Sequence, residues 1–215
     1  MKERNVTVTL NKAKEWFNSG NATLKEIALQ AFDKDELTYS FKNITTFEKA
    51  CETLDLNYAD MACMARVIAK TSKASAAMFK LNIIRKALNL GQDLRLTKDP
   101  KSSYMYYPYN PFVTKSSTYY KSEINSGKME VIGKIKSEGE EYNVLGGSTT
   151  LSANAGLGGF ASTNGVGFAD ATFGFLGCAN KEIAEHFGKY FGMLITEAKY
   201  GDMVDFEIIS SKYPN

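Results

Sequence analysis

With 215 residues, 44% of them apolar and 23% charged, the chain can bury one sizeable core or two small ones, which excludes disordered and fibrous classes. Its 26 Lys and Arg against 24 Asp and Glu leave a formal charge of +2, too little for a general polyanion binder. No apolar run approaches the roughly 20 residues that cross a bilayer, and Met1-Lys2-Glu3-Arg4-Asn5 leads into no signal-peptide core. A soluble, unexported protein without membrane partners is expected. Cys51, Cys63 and Cys178 are odd in number and far apart, which excludes a full disulfide framework and the paired spacing of a structural zinc site, so buried thiols are expected.

Val6 to Leu10 alternates apolar and polar β-branched residues and reads as a short strand or an extended lead-in. A helix over Lys12 to Phe17 then ends at Asn18-Ser19-Gly20. Thr23 with Glu26 forms a capping box for a second helix, whose apolar face is Leu24, Ile27, Ala28 and Ala31. Thr45 with Glu48 repeats the device, and Phe47, Ala50, Cys51 and Leu54 carry helical spacing over about 46–54. Tyr58 to Leu90 is rich in good helix formers, with a polar break at Lys70-Thr71-Ser72-Lys73, and fits one kinked helix or two stacked ones. Met78, Leu81, Ile84 and Leu88 make its stripe, Phe79, Ile83 and Leu90 widen it, and Gly91 is the expected C-terminal cap.

Beyond Gly91 the character changes. Residues 95–136 carry a formal net of about +5. In Tyr104 to Phe112, Pro108 and Pro111 remove ladder donors, which predicts an edge strand or extended arm. Thr118 to Ile124 and Lys128 to Ile135 read as strands of a hairpin around Asn125-Ser126-Gly127, and Glu141 to Val144 as a further strand. Nine of the 17 glycines fall between Gly146 and Gly177, predicting a flexible loop or closely approached backbone around 146–167. Phe168 to Leu176 is strand-like, Asn180 caps a long helix with Ile183, Ala184, Phe187, Phe191 and Leu194 on one face, and Val204, Phe206 and Ile208 alternate as a last strand. From residue 137 onward the formal net is about −6, opposite in sign to the preceding segment.

No motif for catalysis or a cofactor emerges. Gly156-Leu157-Gly158-Gly159-Phe160-Ala161 lacks the third glycine of the dinucleotide fingerprint, and no Gly-Lys-Ser or Gly-Lys-Thr follows. His186 is the single histidine and lies outside any His-Glu-x-x-His arrangement; it stands about two turns from Cys178, too far for a dyad within one helix, and reads as structural. Glu140 with Glu141, and Asp202 with Asp205, read as solvated acids. Lysines interleaved with Tyr104, Tyr106, Tyr107, Tyr109, Tyr119 and Tyr120 suit internal packing, a protein interface or, less well given the small overall charge, single-stranded nucleic acid.

Several stretches resemble a family of proteins encoded by phages of gut Bacteroidales, including the crAss-like group, and by related prophages. They are Lys14 to Gly20 (KEWFNSG) followed by Leu24 to Phe32 (LKEIALQAF), Ile84 to Asn89 (IRKALN), Tyr106-Tyr107-Pro108-Tyr109, and Gly174 to Phe191 (GFLGCANKEIAEHFGKYF). The chain differs from many of these relatives in its long Gly-rich insertion and in lacking a Trp-rich stretch after the central helix. The resemblance implies a phage structural or accessory protein, a virion component of capsid-decorating, fibre-type or packaged kind. It would reside in the host cytoplasm during infection or in the virion, with other particle proteins or further copies of itself as partners.

The fold expected is α+β: a mainly helical region over 1–91, then an antiparallel sheet and a long packed helix over 92–215, as separate regions or sharing one core. No catalytic residue, metal or cofactor is expected. The interface candidates are Tyr104, Tyr106, Tyr107, Tyr109 and Phe112 on the arm, and Gly156, Gly158, Gly159 and Phe160 in the Gly-rich stretch. Truncating Tyr107 and Tyr109 is expected to weaken assembly and leave the monomer folded. The alternatives are a nucleic-acid or host-factor binder using segment 95–136, and an enzyme whose pocket joins Cys178, His186 and distant acids.

Overall fold

The structure, a computed structural model, describes residues 8–90, 105–114, 118, 120–152 and 176–214. It is an α+β fold in which helices precede an antiparallel sheet and a long C-terminal helix. The chain forms two compact units, Met1–Phe41 and Lys42–Asn215.

The first unit is three helices, α1 (Leu10–Asn18), α2 (Ala22–Ala31) and α3 (Lys34–Leu37). Leu10 opens a helix rather than closing a strand, because the Thr9 hydroxyl accepts from the Lys12 amide and caps it; Val6 and Thr7 lie outside the described residues. The start of α2 corrects the Thr23 capping box: Asn21, two residues earlier, accepts from the Leu24 amide at 3.2 Å. The short α3 carries a true box, Asp33 with Glu36. Ala13, Ala28 and Leu37 are buried among Trp16, Phe17 and Phe32.

The second unit begins with α4 (Phe47–Thr53), α5 (Tyr58–Ala69) and α6 (Lys73–Leu88). Thr46, not Thr45, caps α4, and Phe47, Ala50 and Cys51 are buried as their spacing predicts. The polar break at 70–73 separates two helices, with the Ser72 hydroxyl accepting from the Ser75 amide. The helix stops at Asn89; Gly91 lies outside the described residues.

The strands are β1 (Met105–Tyr109), β2 (Phe112–Thr114), β3 (Glu130–Ser137), β4 (Glu140–Gly146), β5 (Ser148–Ser152) and β6 (Glu207–Ser211). They form a four-stranded antiparallel sheet, order β2-β4-β3-β6, and an antiparallel pair β1-β5. The two are one interrupted ribbon: Tyr109 faces Ser148 and Phe112 faces Val144, so the ladder resumes one residue out of step across Asn110-Pro111. The Asn110 amide nitrogen bridges this break, donating to the Leu145 carbonyl at 2.9 Å and the Gly188 carbonyl at 2.8 Å.

Pro108 is tolerated in β1 because its nitrogen points away from β5, on the side where Tyr106 exchanges two backbone hydrogen bonds with Cys178. The hairpin expected around Asn125-Ser126-Gly127 is absent: Lys121–Asn125 is a helical turn, α7, entered through a left-handed Tyr120 with φ 61°. The hairpin joins β3 to β4 through Glu138 and Gly139, whose φ values of 51° and 84° are those a type I′ turn demands. The Gly-rich expectation is corrected over 148–152, which is strand; the stretch from 153 to 175 lies outside the described residues.

Helix α8 (Lys181–Tyr200) starts where Asn180 accepts from the Ile183 amide, as expected. It contacts α6 on one side and β1, β3, β4 and β5 on the other, so burial extends past the predicted stripe to Gly188, Gly192, Met193 and Thr196. Phe187 and Phe191 are fully buried, each contributing about 2 kcal/mol of apolar transfer free energy. Ile132, Ile135, Val144 and Met193 form the core between sheet and helix. The last strand begins at Glu207 instead of Val204, which is 99% exposed in the preceding turn.

Candidate docking surface

Of the tyrosine arm, Tyr107 belongs to the core, while Tyr106, Tyr109 and Phe112 are half-buried. Tyr107 is 2% exposed, with burial pushing its phenol up to about 12, and Tyr106 is half-buried. The Tyr109 and Tyr120 hydroxyls hydrogen-bond at 2.8 Å, which together with burial raises Tyr109. Phe112 packs against Tyr200 with ring centroids 5.6 Å apart. Truncating Tyr107 therefore removes core, contrary to the expectation of an intact monomer. Tyr104, Gly156, Gly158, Gly159 and Phe160 lie outside the described residues, as do the lysines of 95–104 and Lys115.

Cys178 holds its thiol protonated, and His186 is engaged with the backbone of Ile44. Cys178 is fully buried and its thiol is pushed up to about 12 by desolvation, against the opposing pull of Arg85. Arg85 Nε and Asn89 Nδ2 both donate to the Gly177 carbonyl, and Asn89 Oδ1 accepts from the Ala179 amide, which fixes the entry to α8. A ring nitrogen of His186, Nε2, lies 2.8 Å from the Ile44 carbonyl, and its ring is 4.5 Å from that of Tyr190. Burial lowers its pKa; the Ile44 bond raises it, and Lys189 and Lys42 lower it further. Asp202 accepts from Ser72 Oγ and the Ala74 amide, acting as a cap for α6. Among the described residues no group of three His, Cys, Asp or Glu is placed to hold a metal ion. No helix among them is long and apolar enough to cross a membrane.

The feature that sequence reading missed is the exposure of α5. Its residues Tyr58, Ala59, Met61, Ala62, Cys63, Met64, Ala65, Val67, Ile68 and Ala69 are apolar at nearly every helical angle, broken by Asp60 and Arg66, yet only Ala65 is buried. A helix apolar all round is normally enclosed. Here Met64 is 48% and Val67 58% exposed, on the outer face with Cys63. The signal lay in the composition of Tyr58 to Ala69, but coverage is decided by which elements arrive over it.

A second face of α5 borders a groove of about 560 Å³ shared with α4, α6 and α8. Its floor is mostly alanine, including Ala62, Ala65, Ala76 and Ala77. Phe47 and Tyr58, edge to face at 6.0 Å between centroids, border it as well. Arg66, Lys73 and Lys80 also line it against the carboxylate of Glu197, which burial raises while Lys80 and Lys73 oppose the shift.

No protein-family model, curated protein or solved structure matches the chain.

Proposed function

We propose that the chain is a non-enzymatic phage structural or accessory protein, a component of the particle, that self-associates through the outer face of α5. The observation that carries the docking part is the uncovered Met64 and Val67 on a helix apolar all round. The phage context rests on the resemblance of Lys14 to Phe32, Ile84 to Asn89, Tyr106 to Tyr109 and Gly174 to Phe191. A two-fold antiparallel crossing of α5 on α5 near Cys63 and Met64 would set Asp60 of each copy opposite Val67 of the other, with Lys70 one turn beyond, a self-complementary contact. Such an interface is mainly apolar and therefore insensitive to salt. The test is the native mass of the purified protein by light scattering, for the wild type and for Met64→Glu/Val67→Glu. A discrete oligomer that the double substitution reduces to monomer supports the proposal; an oligomer unmoved by it, or a monomeric wild type, opposes it.

A further inference from the structure

We propose that the α5–α6 groove is a receptor for an acidic, amphipathic helix of another protein. This rests on reading the chain as a docking protein, and not on which face of α5 closes the oligomer. Shape, backbone chemistry and charge each narrow the occupant.

The alanine floor leaves the space that large side chains would fill, about 560 Å³, and its walls are helices whose backbone groups are used internally. An extended peptide would find no backbone partners there, whereas a helix brings its own hydrogen bonds satisfied. Tyr58 to Ala69 spans about 16 Å, the length of three helical turns, so apolar anchors at i, i+4 and i+7 fit along it.

Charge selects the sign of the partner. Among the described residues lining the groove, three are cationic and Glu197 is the single carboxylate. Lys73 and Lys80 stand seven residues apart on α6, about 10 Å, which is the spacing of carboxylates two turns apart (i, i+7) on one face of a facing helix. Arg66 supplies a third cation from α5. A single-headed acyl chain would engage one cation, whereas several carboxylates on a polypeptide engage Arg66 and Lys73 together.

The experiment uses the full chain and two fluorescein-labelled synthetic helices of 14 residues. Both carry Leu at i, i+4, i+7 and i+11; one has Glu at the flanking positions and the other Lys. Anisotropy at near-physiological salt should show saturable binding of the Glu peptide and at least about tenfold weaker binding of the Lys peptide. Arg66→Glu/Lys73→Glu should weaken the Glu peptide at least about fivefold. Ala69→Phe, at an exposed position lining the groove, should abolish binding while circular dichroism shows an unchanged fold.

Equal affinity for the two peptides, absence of binding, or binding untouched by Ala69→Phe would overturn the assignment. Saturable binding of oleate with none of the Glu peptide would also overturn it, in favour of an acyl chain. Met64 and Val67 are not among the groove-lining residues, so Met64→Glu/Val67→Glu should retain the peptide affinity. A monomeric wild type that binds the Glu peptide would therefore refute self-association and leave the groove assignment standing, and an oligomer that ignores the peptide would do the reverse.

Discussion

Gly192 shows how narrowly single residues fix this fold. A Cβ at that position would lie 2.4 Å from Ile132 Cδ1 and 2.5 Å from Asn110 Nδ2, inside the contact between α8 and the break in the β ribbon. Gly192→Ala is expected to destabilise by about 1–3 kcal/mol, read as a lower urea midpoint at unchanged slope. Replacing Asn110 by Ala would remove the donor to the Leu145 carbonyl and a second donor to the Gly188 carbonyl, which keeps its place in the α8 ladder, so its cost should be about 1–2 kcal/mol. The thiols give a second residue-level test. Cys51 and Cys178 are buried with raised pKa values, both chiefly through desolvation, while Cys63 is exposed. In the Met64→Glu/Val67→Glu monomer, whose α5 face is open, iodoacetamide at pH 8 should modify Cys63 alone, and all three thiols after denaturation, as counted by mass spectrometry.

At the scale of elements, one carboxylate fastens the C-terminal strand. Glu130 on β3 accepts from Lys212 and from the Tyr213 hydroxyl, and pairs with Lys189 of α8 at 3.1 Å. Burial alone would raise its carboxyl, but these bonds together hold it below the ordinary value of 4.5. A depressed carboxyl contributes stability that is fully present above its unfolded pKa and is lost as pH falls from there through the folded one. His186 behaves alike: its lowered pKa means the unfolded chain binds the proton more readily, so stability declines as pH drops below about 6.5. Thermal melts should thus show two acid-side losses. Glu130→Gln should lessen the one below 4.5, to which the lowered Asp202 also contributes, and His186→Gln should remove the one beginning near 6.5.

Local chemistry made some of these elements legible in the sequence. Asn180 and the stripe behind it marked α8 because a cap and a helical period are encoded within a few residues. The same held for the buried triplet Phe47, Ala50 and Cys51. The β hairpin was misplaced because Asn125-Ser126-Gly127 has turn composition, yet Gly127 at φ 74° serves the exit of α7. The real turn places Glu138 in a left-handed conformation that its residue type does not advertise. Lys121 to Asn125 turns into helix because Tyr120 and Ile124 pack on Val113, Met129 and Leu145, a tertiary demand invisible to local propensity. The docking face was illegible for the same reason. The apolar residues of α5 can be read from the sequence, while their exposure depends on what α4, α6 and α8 leave uncovered.

In the unit Lys42–Asn215 the sheet, α8 and α6 form one packed body, and α5 lies against it with Met64 and Val67 exposed among the described residues. Met64 and Val67 together present a patch whose burial in an oligomer would be worth several kcal/mol before the cost of association. A glutamate at each position would place two charges into that contact, enough to disfavour it strongly. Self-association through α5 is read from the native mass by light scattering, over a range of concentration and at low and high salt. The expected result is a discrete oligomer that persists in high salt and becomes monomeric in Met64→Glu/Val67→Glu with the fold retained. A wild type that stays monomeric throughout, or an oligomer that the two glutamates leave intact, would contradict it.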